Sequence, residues 1–205
     1  MKDNLTEIVF VLDRSGSMYD LVEDTLGGYN SFIESQKQEP GEAILTTVLF
    51  DDKYQLLHDR VDIKSVEPLT INDYYARGLT ALLDAIGKTI DSIGKKLSQT
   101  PEEERPSKVI FVITTDGYEN ASQIFTYDSI KERVNRQKVE YNWEFIFLGA
   151  NIDSFGVGDS LGIAYVSNYS STSDGTKSVY SSLNSTITDY RQTGNVKDSW
   201  NDDIK

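Results

Sequence analysis

The chain has 205 residues, and 20 Lys and Arg against 33 Asp and Glu give it a formal net charge of -13. It has no cysteine and one histidine, which excludes disulfides, thiol nucleophiles and the Cys- or His-rich sites that zinc and copper prefer. The acidic excess argues against nucleic-acid binding, and the lack of any apolar run of about 18 residues argues against a membrane span. Carboxylate and hydroxyl oxygens remain as ligands, and these suit Mg²⁺, Mn²⁺ or Ca²⁺.

The length predicts a single domain over residues 1–193, followed by a polar tail over 194–205 that we expect to be frayed. The first apolar stretch, residues 8–12, runs into Asp13 and Arg14 without a small-residue cleavage site. It therefore indicates a core strand and not a signal peptide. Together with the lack of cysteine, this favours a cytoplasmic protein.

Apolar runs rich in β-branched residues alternate with segments of helical periodicity along the chain. We expect strands over 8–12, 43–50, 54–58, 109–114, 143–148 and 164–166, and helices over 21–33, 79–97, 126–134, 154–161 and 179–190. A turn at 51–53 makes the third strand an antiparallel edge, and the Ser/Thr-rich stretch 167–176 is expected to be a flexible linker. The alternation predicts an α/β fold: a doubly wound, mostly parallel six-stranded sheet with helices on both faces.

Ligands of such sheets sit at the carboxyl ends of the strands, where the strand order reverses. Asp13, Ser15 and Ser17 follow the first buried strand, and alternate residues of an extended turn point to the same side. Asp116 follows the fourth strand, and Thr80 lies at the mouth of the strongest amphipathic helix. These five side chains predict a site made only of oxygen ligands, which water would complete for Mg²⁺.

The pattern Asp13-x-Ser15-x-Ser17, followed by Thr80 and Asp116, resembles the metal-ion-dependent adhesion site of the von Willebrand factor A domain, also called the integrin I-type domain. The resemblance covers residues 6–190 by order and spacing of elements, and all five ligand positions match. It implies a Rossmann-like fold in which the three hydroxyls contact the metal and the two aspartates act directly or through water. The implied cofactor is Mg²⁺, with Mn²⁺ or Ca²⁺ as alternatives.

The function implied by this resemblance is a metal-dependent protein-interaction module and not an enzyme. The metal keeps one position for exchangeable water, which a Glu or Asp of a partner protein can replace. The chain looks like the stand-alone cytoplasmic copies of bacteria and phages, which often work with ATPases or with stress and defence complexes. The partner's identity stays open.

Two other functions are compatible with the same architecture. A metal-dependent phosphoesterase or phosphoryl-transfer enzyme would use Asp13 as an aspartyl nucleophile. Against it, position 15 is Ser instead of a second acid, and no Gly-rich phosphate loop follows the first strand. The third alternative is a structural subunit of a larger complex with a vestigial metal site.

Polar and aromatic residues next to the predicted ligands form a candidate partner-binding rim, with packing in the core as the equal alternative. These residues are Tyr74, Tyr75, Tyr118, Glu119 and Asn120. Further residues have simpler interpretations. Asp84 is expected to cap or to form hydrogen bonds, Asp153 or Ser154 to cap the fourth helix, and His58 to be a surface or edge-strand histidine without a catalytic role.

Overall fold

The computed structural model describes residues 1–204, which form a central six-stranded sheet. The strands are β1 (Lys2–Asp13), β2 (Glu42–Phe50), β3 (Tyr54–Asp62), β4 (Pro106–Thr115), β5 (Glu144–Ala150) and β6 (Tyr165–Tyr169). Their spatial order is β3-β2-β1-β4-β5-β6, and neighbouring strands are parallel except for β2 and β3. The predicted α/β sheet with one antiparallel edge strand is confirmed.

The sheet is covered by α-helices. Short 3-10 turns lie in the connections between the elements, at Gly16–Leu21, Ile63–Ser65 and Glu102–Glu104. The helices are α1 (Val22–Gln38), α2 (Leu82–Gln99), α3 (Tyr127–Tyr141), α4 (Ser154–Leu161) and α5 (Ser173–Thr193). Helix α2 begins at Leu82 and not at Leu79, because the backbone of Thr80 is bonded to another loop. Among residues 1–204, no helix has the length and apolar content needed to cross a bilayer.

Two apolar layers enclose β1, one on each face of the sheet. Ile8, Phe10 and Leu12 pack on the side of α1 and α5, whereas Val9 and Val11 pack on the side of α2, α3 and α4. Alternate side chains of a strand point to opposite faces, so a strand buried on both faces needs apolar residues at every position. This is why the first strand reads as an unbroken apolar run.

The strand order reverses between β1 and β4. The chain leaves β1 for β2 on one side and later returns to β4 on the other, where Leu12 of β1 pairs with Thr114 of β4. The carboxyl ends of these two parallel strands therefore lie next to each other. This reversal places Asp13 and Asp116 on one rim of the sheet, where doubly wound folds bind ligands.

The expectation of a flexible linker over 167–176 is wrong. Its first residues belong to β6, and α5 begins at Ser173. The side chain of Thr172 caps α5, because its Oγ1 accepts the backbone N–H of Gly175 at 3.1 Å. The hydroxyl-rich composition thus reflects a helix cap and a helix surface.

The expectation of a frayed tail after residue 194 is also wrong for the described part, which ends at residue 204. Val196 and Trp200 are buried and join the apolar layer that contains α1 and α5. The hydroxyl of Tyr165 donates to the carbonyl oxygen of Val196 at 3.3 Å, which anchors the tail on β6. Because the tail is polar in overall composition, the sequence analysis did not identify these two buried apolar residues, which are four positions apart.

Candidate metal centre

The turn after β1 brings one carboxylate and two hydroxyls together. Asp13 is fully buried, and its Oδ1 accepts the backbone N–H of Ser15 at 2.6 Å. The hydroxyl oxygens of Ser15 and Ser17 lie 3.1 Å apart. The carboxylate therefore holds the backbone of the turn, as aspartates often do over two residues, and the two hydroxyls converge as predicted.

The end of β4 adds the second carboxylate and one residue that the sequence analysis missed. Ser17 Oγ donates to Oδ1 of Asp116 at 2.5 Å, and Thr115 Oγ1 donates to Oδ2 of Asp13 at 2.5 Å. These bonds tie the two strand ends together. The signal that could have identified Thr115 was a polar residue at the buried end of an apolar strand, next to a predicted ligand.

Gly117 shows that the three hydroxyls surround one point. A Cβ built on this glycine would lie 3.1 Å from Ser17 Oγ, 3.2 Å from Thr80 Oγ1 and 3.9 Å from Ser15 Oγ. The absence of a side chain at Gly117 thus leaves open a space that lies within 4 Å of all three hydroxyl oxygens. The structure thus brings all five predicted ligands to one rim.

Thr80 reaches this rim because its loop is bonded to the loop after β4. The N–H of Thr80 donates to Asn120 Oδ1 at 2.9 Å, and its carbonyl accepts the N–H groups of Asn120 at 3.0 Å and Ala121 at 3.2 Å. The carboxylate of Glu119 accepts the backbone N–H of Leu83, also at 2.9 Å. The backbone of Thr80 is therefore held in place by hydrogen bonds to the backbone and the Asn120 side chain of a loop about forty residues further along the chain.

The five residues of the candidate partner-binding rim lie at both exposed and buried positions. Tyr75 and Tyr118 expose 40% and 56% of their surface. Tyr74 is buried, contrary to a rim role, and its hydroxyl donates to the carbonyl oxygen of Asp13 at 2.5 Å. The side chains of Glu119 and Asn120 hold the loops, as described above, but Asn120 is exposed and Glu119 is half-buried, so a place in the partner-binding rim stays a prediction for both.

Among the residues that the structure describes, the two candidate aspartate ligands, Asp13 and Asp116, are not paired with basic side chains. Burial raises the pKa of Asp13 to about 6 against the hydrogen bonds from Thr115 and Ser15, and burial also raises the pKa of Asp116. Neither aspartate forms an ion pair among residues 1–204. A divalent cation at this rim would favour their charged forms. Within the described residues, no group of three or more Asp, Glu, His or Cys side chains is placed so that it could hold a metal ion, so a cation at Asp13 and Asp116 would also need the hydroxyl oxygens as ligands.

Arg14 follows Asp13 in the chain, but its guanidinium serves a different carboxylate. Its Nε donates to Asp51 Oδ2 at 3.0 Å, and its Nη1 donates to Gln55 Oε1 at 2.7 Å. Arg77 donates its Nε to the same Asp51 oxygen at 2.7 Å. The guanidinium groups of Arg14 and Arg77 are thus both paired with Asp51, and neither forms an ion pair with Asp13 or Asp116.

Three other residues of the sequence analysis lie where it expected them. Asp84, at the start of α2, accepts backbone N–H groups from the loop that follows β4. Asp153 caps α4 by accepting the N–H of Gly156 at 3.0 Å. His58 lies in the edge strand β3, opposite Thr47.

Comparison with known proteins identifies the fold. No family model matches the chain, and no curated protein matches it. Among solved structures, the von Willebrand factor domain of the type V pili tip protein Mfa5 from Porphyromonas gingivalis superposes with a TM-score of 0.66 at 10% identity, over 94% of this chain and 98% of that one. The sheet order, the single antiparallel strand and this match define a Rossmann-like von Willebrand factor A fold.

Two further structures agree. Proximal thread matrix protein 1 from the mussel byssus, with a zinc-occupied MIDAS motif, has a TM-score of 0.60 at 17% identity over 89% of this chain and 46% of that one. A von Willebrand factor type A protein from Catenulispora acidiphila has a TM-score of 0.60 at 12% identity over 89% and 42%. The chain spans less than half the length of these two proteins. At such identities the likeness establishes the fold alone.

Proposed function

We propose that the chain is a metal-dependent protein-interaction module whose rim holds Mg²⁺, with Mn²⁺ or Ca²⁺ as alternatives. The observation that carries the proposal is the convergence of the Ser15, Ser17 and Thr80 hydroxyls beside Gly117, with Asp13 and Asp116 next to them. The donors are all oxygen atoms, and two carboxylates balance one divalent charge, which fits the preference of Mg²⁺. The zinc-occupied motif of the mussel structure supports a metal at this rim.

In this proposal the three hydroxyls hold the cation, and Asp13 and Asp116 balance its charge directly or through water. The cation, when bound, supplies a local positive charge and a coordination position for an acidic side chain of a partner. The other residues orient the ligands: Thr115 and the N–H of Ser15 hold the Asp13 carboxylate, at 2.5 and 2.6 Å. This arrangement explains how a chain with a net charge of -13 could bind an acidic group.

We further propose that the chain acts by binding and does not catalyse a reaction. Both carboxylate oxygens of Asp13 accept hydrogen bonds, and the residue is fully buried. These features favour a role for Asp13 in holding the site together over a role as a nucleophile. Metal-dependent turnover of p-nitrophenyl phosphate that disappears in Asp13→Asn would contradict this part of the proposal. The resemblance to stand-alone bacterial and phage copies further supports a cytoplasmic setting and a partner among ATPases or stress and defence complexes.

Titration with Mn²⁺ tests the metal site directly. Water-proton relaxation reports water on bound Mn²⁺, so the parent chain should show saturable enhancement that Mg²⁺ competes away. Asp13→Asn and Asp116→Asn should weaken Mn²⁺ binding by at least about 100-fold, whereas the exposed Asp128→Asn should not. Addition of acidic peptides should lower the enhancement by displacing water. Equal Mn²⁺ binding in the parent and in both rim variants would refute the site.

A further inference from the structure

Unlike the other four proposed ligands, Thr80 does not lie at or just after the end of a strand. It belongs to residues 66–81, named here the Thr80 loop, which join the 3-10 turn Ile63–Ser65 to α2 without helix or strand. Irregular backbone has no hydrogen-bond ladder of its own, so a ligand on it keeps its position only where other segments hold the loop. Besides the bonds from Asn120 and Ala121, such contacts come from the turn after β1 and from the residue that follows β2.

Two backbone hydrogen bonds join the Thr80 loop to the turn that carries Ser15. The N–H of Arg77 donates to the carbonyl oxygen of Arg14 at 2.8 Å, and the N–H of Gly16 donates to the carbonyl oxygen of Gly78 at 3.1 Å. Arg14 and Gly16 are the chain neighbours of Ser15 on either side. The two segments that supply the hydroxyl ligands are therefore attached directly to each other.

Asp51 joins the same two segments through its carboxylate. Its Oδ2 accepts the Nε–H of Arg14 at 3.0 Å and the Nε–H of Arg77 at 2.7 Å, and its backbone carbonyl accepts the N–H of Ala81 at 2.9 Å. Asp51 thus holds the Thr80 loop three residues before Thr80 and again one residue after it. Because Asp51 is fully buried next to β2, it gives the loop a fixed point on the sheet.

Gly78 allows the loop to approach the β2–β3 hairpin closely. Its φ of +69° lies in the left-handed region that favours glycine, and a Cβ built on it would overlap Oδ1 of Asp52. The Thr80 loop therefore turns directly against the hairpin, between Arg77 and Thr80.

We propose that Arg77 is a positioning residue of the metal site and that it acts through Thr80. Its bond to Asp51 fixes the Thr80 loop relative to the turn that carries Ser15 and Ser17. The inference rests on the proposed function and adds to it a residue that does not contact the cation.

The direction of the effect distinguishes positioning from electrostatics. Arg77 carries a positive charge three residues from a proposed cation ligand, so its removal should by itself strengthen the binding of a divalent cation. Loss of a bond that holds a ligand should weaken binding instead, typically by about tenfold or more. A role confined to stability should leave the metal affinity of the folded chain unchanged.

Arg77→Gln tests this role and leaves the buried Arg14 paired with Asp51. Titration calorimetry with Mn²⁺ should show an affinity at least about tenfold below that of the parent. The matched control is Arg133→Gln. Like Arg77, Arg133 donates its Nε–H to an aspartate and lies over an aromatic ring, and the two side chains expose 33% and 39% of their surface. The control should bind Mn²⁺ as the parent does, and both variants should shift the urea midpoint in EDTA by similar amounts.

A double-variant cycle tests whether Arg77 acts through Thr80. Thr80→Val removes the hydroxyl, keeps the size of the side chain and should weaken Mn²⁺ binding. In the Thr80→Val background, Arg77→Gln should lower the affinity by less than about twofold, because the ligand that it positions is already absent. Titrations that extend to millimolar Mn²⁺ keep the double variant measurable.

The outcomes separate this inference from the proposed function. A parent chain without saturable Mn²⁺ binding overturns the proposed function and the inference with it. Arg77→Gln with unchanged or stronger Mn²⁺ binding overturns the positioning role and leaves the metal site standing. The positioning role is also overturned if Thr80→Val binds Mn²⁺ as the parent does, or if the loss caused by Arg77→Gln recurs in full in the Thr80→Val background.

Discussion

Asp13 and Asp51 end neighbouring strands and are equally inaccessible to solvent, yet their electrostatics are opposite. Burial raises the pKa of Asp13 to about 6. Burial would also raise the pKa of Asp51, but hydrogen bonds from Arg77 and the Lys53 backbone and the charge of Arg14 lower it. Asp51 is neutralised by side chains of its own chain, whereas Asp13 is not. The difference marks Asp51 as part of the structure and leaves Asp13 available to an external cation.

The substitution Asp51→Asn tests whether Asp51 stabilises the fold, and it has the largest expected effect. The substitution leaves the buried guanidinium of Arg14 without its carboxylate, and removal of one partner of a buried pair costs about 3 to 5 kcal/mol. Urea unfolding in EDTA should show a loss of stability of this size. The control is Asp91→Asn, whose ion pair with Arg133 is solvent-exposed and should contribute about 1 kcal/mol or less. Equal losses in the two variants would show that Asp51 does not stabilise the fold through the buried pair.

Gly117→Ala tests whether a cation binds in the open space beside Asp13 and Asp116. The added methyl group would lie 3.1 Å from Ser17 Oγ and 3.2 Å from Thr80 Oγ1, in the space between the hydroxyls. We expect Mn²⁺ affinity to fall about 100-fold, or about 2.7 kcal/mol, with little change in the urea midpoint. Gly27→Ala is the matched control, because no atom outside the local backbone of its own helix lies within 4 Å of the added methyl group. Mn²⁺ affinity retained in Gly117→Ala would place the cation elsewhere.

Thr115→Val tests whether the site depends on residues that do not contact the metal. The change removes the hydroxyl that bonds Asp13 Oδ2 at 2.5 Å but keeps the size of the side chain. Loss of such supporting bonds typically costs about tenfold or more in metal affinity. Isothermal titration with Mn²⁺ should show this loss, and Thr115→Ser, which restores a hydroxyl, should recover most of it. Failure of the serine variant to recover affinity would mean that packing, and not the hydrogen bond, is responsible.

The sequence predicted those parts of the molecule that depend on local pattern. Asp13, Ser15 and Ser17 share one turn, so their proximity could be predicted from spacing alone. The alternation of strands and helices predicts that the strand before Asp116 lies beside the first strand, so the position of Asp116 next to them could also be predicted. The pairing of Asp51 with both Arg14 and Arg77 could not be predicted, since it depends on how a hairpin and a distant loop pack beside β1. The buried Trp200 was missed for the same reason: a polar composition does not show which single residue finds an apolar surface.

Glu7 provides an intermediate case, a buried carboxylate with a single cationic partner. Its Oε1 accepts Arg60 Nε at 3.0 Å, while its Oε2 is buried without a hydrogen-bond partner. Burial outweighs the guanidinium and raises the pKa of Glu7 above its ordinary value of 4.5.

A carboxyl group with a raised pKa in the folded state binds protons more tightly there, so its contribution to stability is present below pH 4.5 and is lost as the pH rises through the folded-state pKa. Glu7→Gln removes this dependence. The stability of the variant relative to the parent should therefore rise as the pH is raised from 4.5 to 7.5. Urea unfolding at both pH values in EDTA measures the difference, and the exposed Glu67→Gln should change stability by less than about 0.5 kcal/mol at either pH. A gain that is the same at both pH values, or larger at pH 4.5, would mean that the single bond to Arg60 neutralises Glu7 as fully as two guanidinium groups neutralise Asp51.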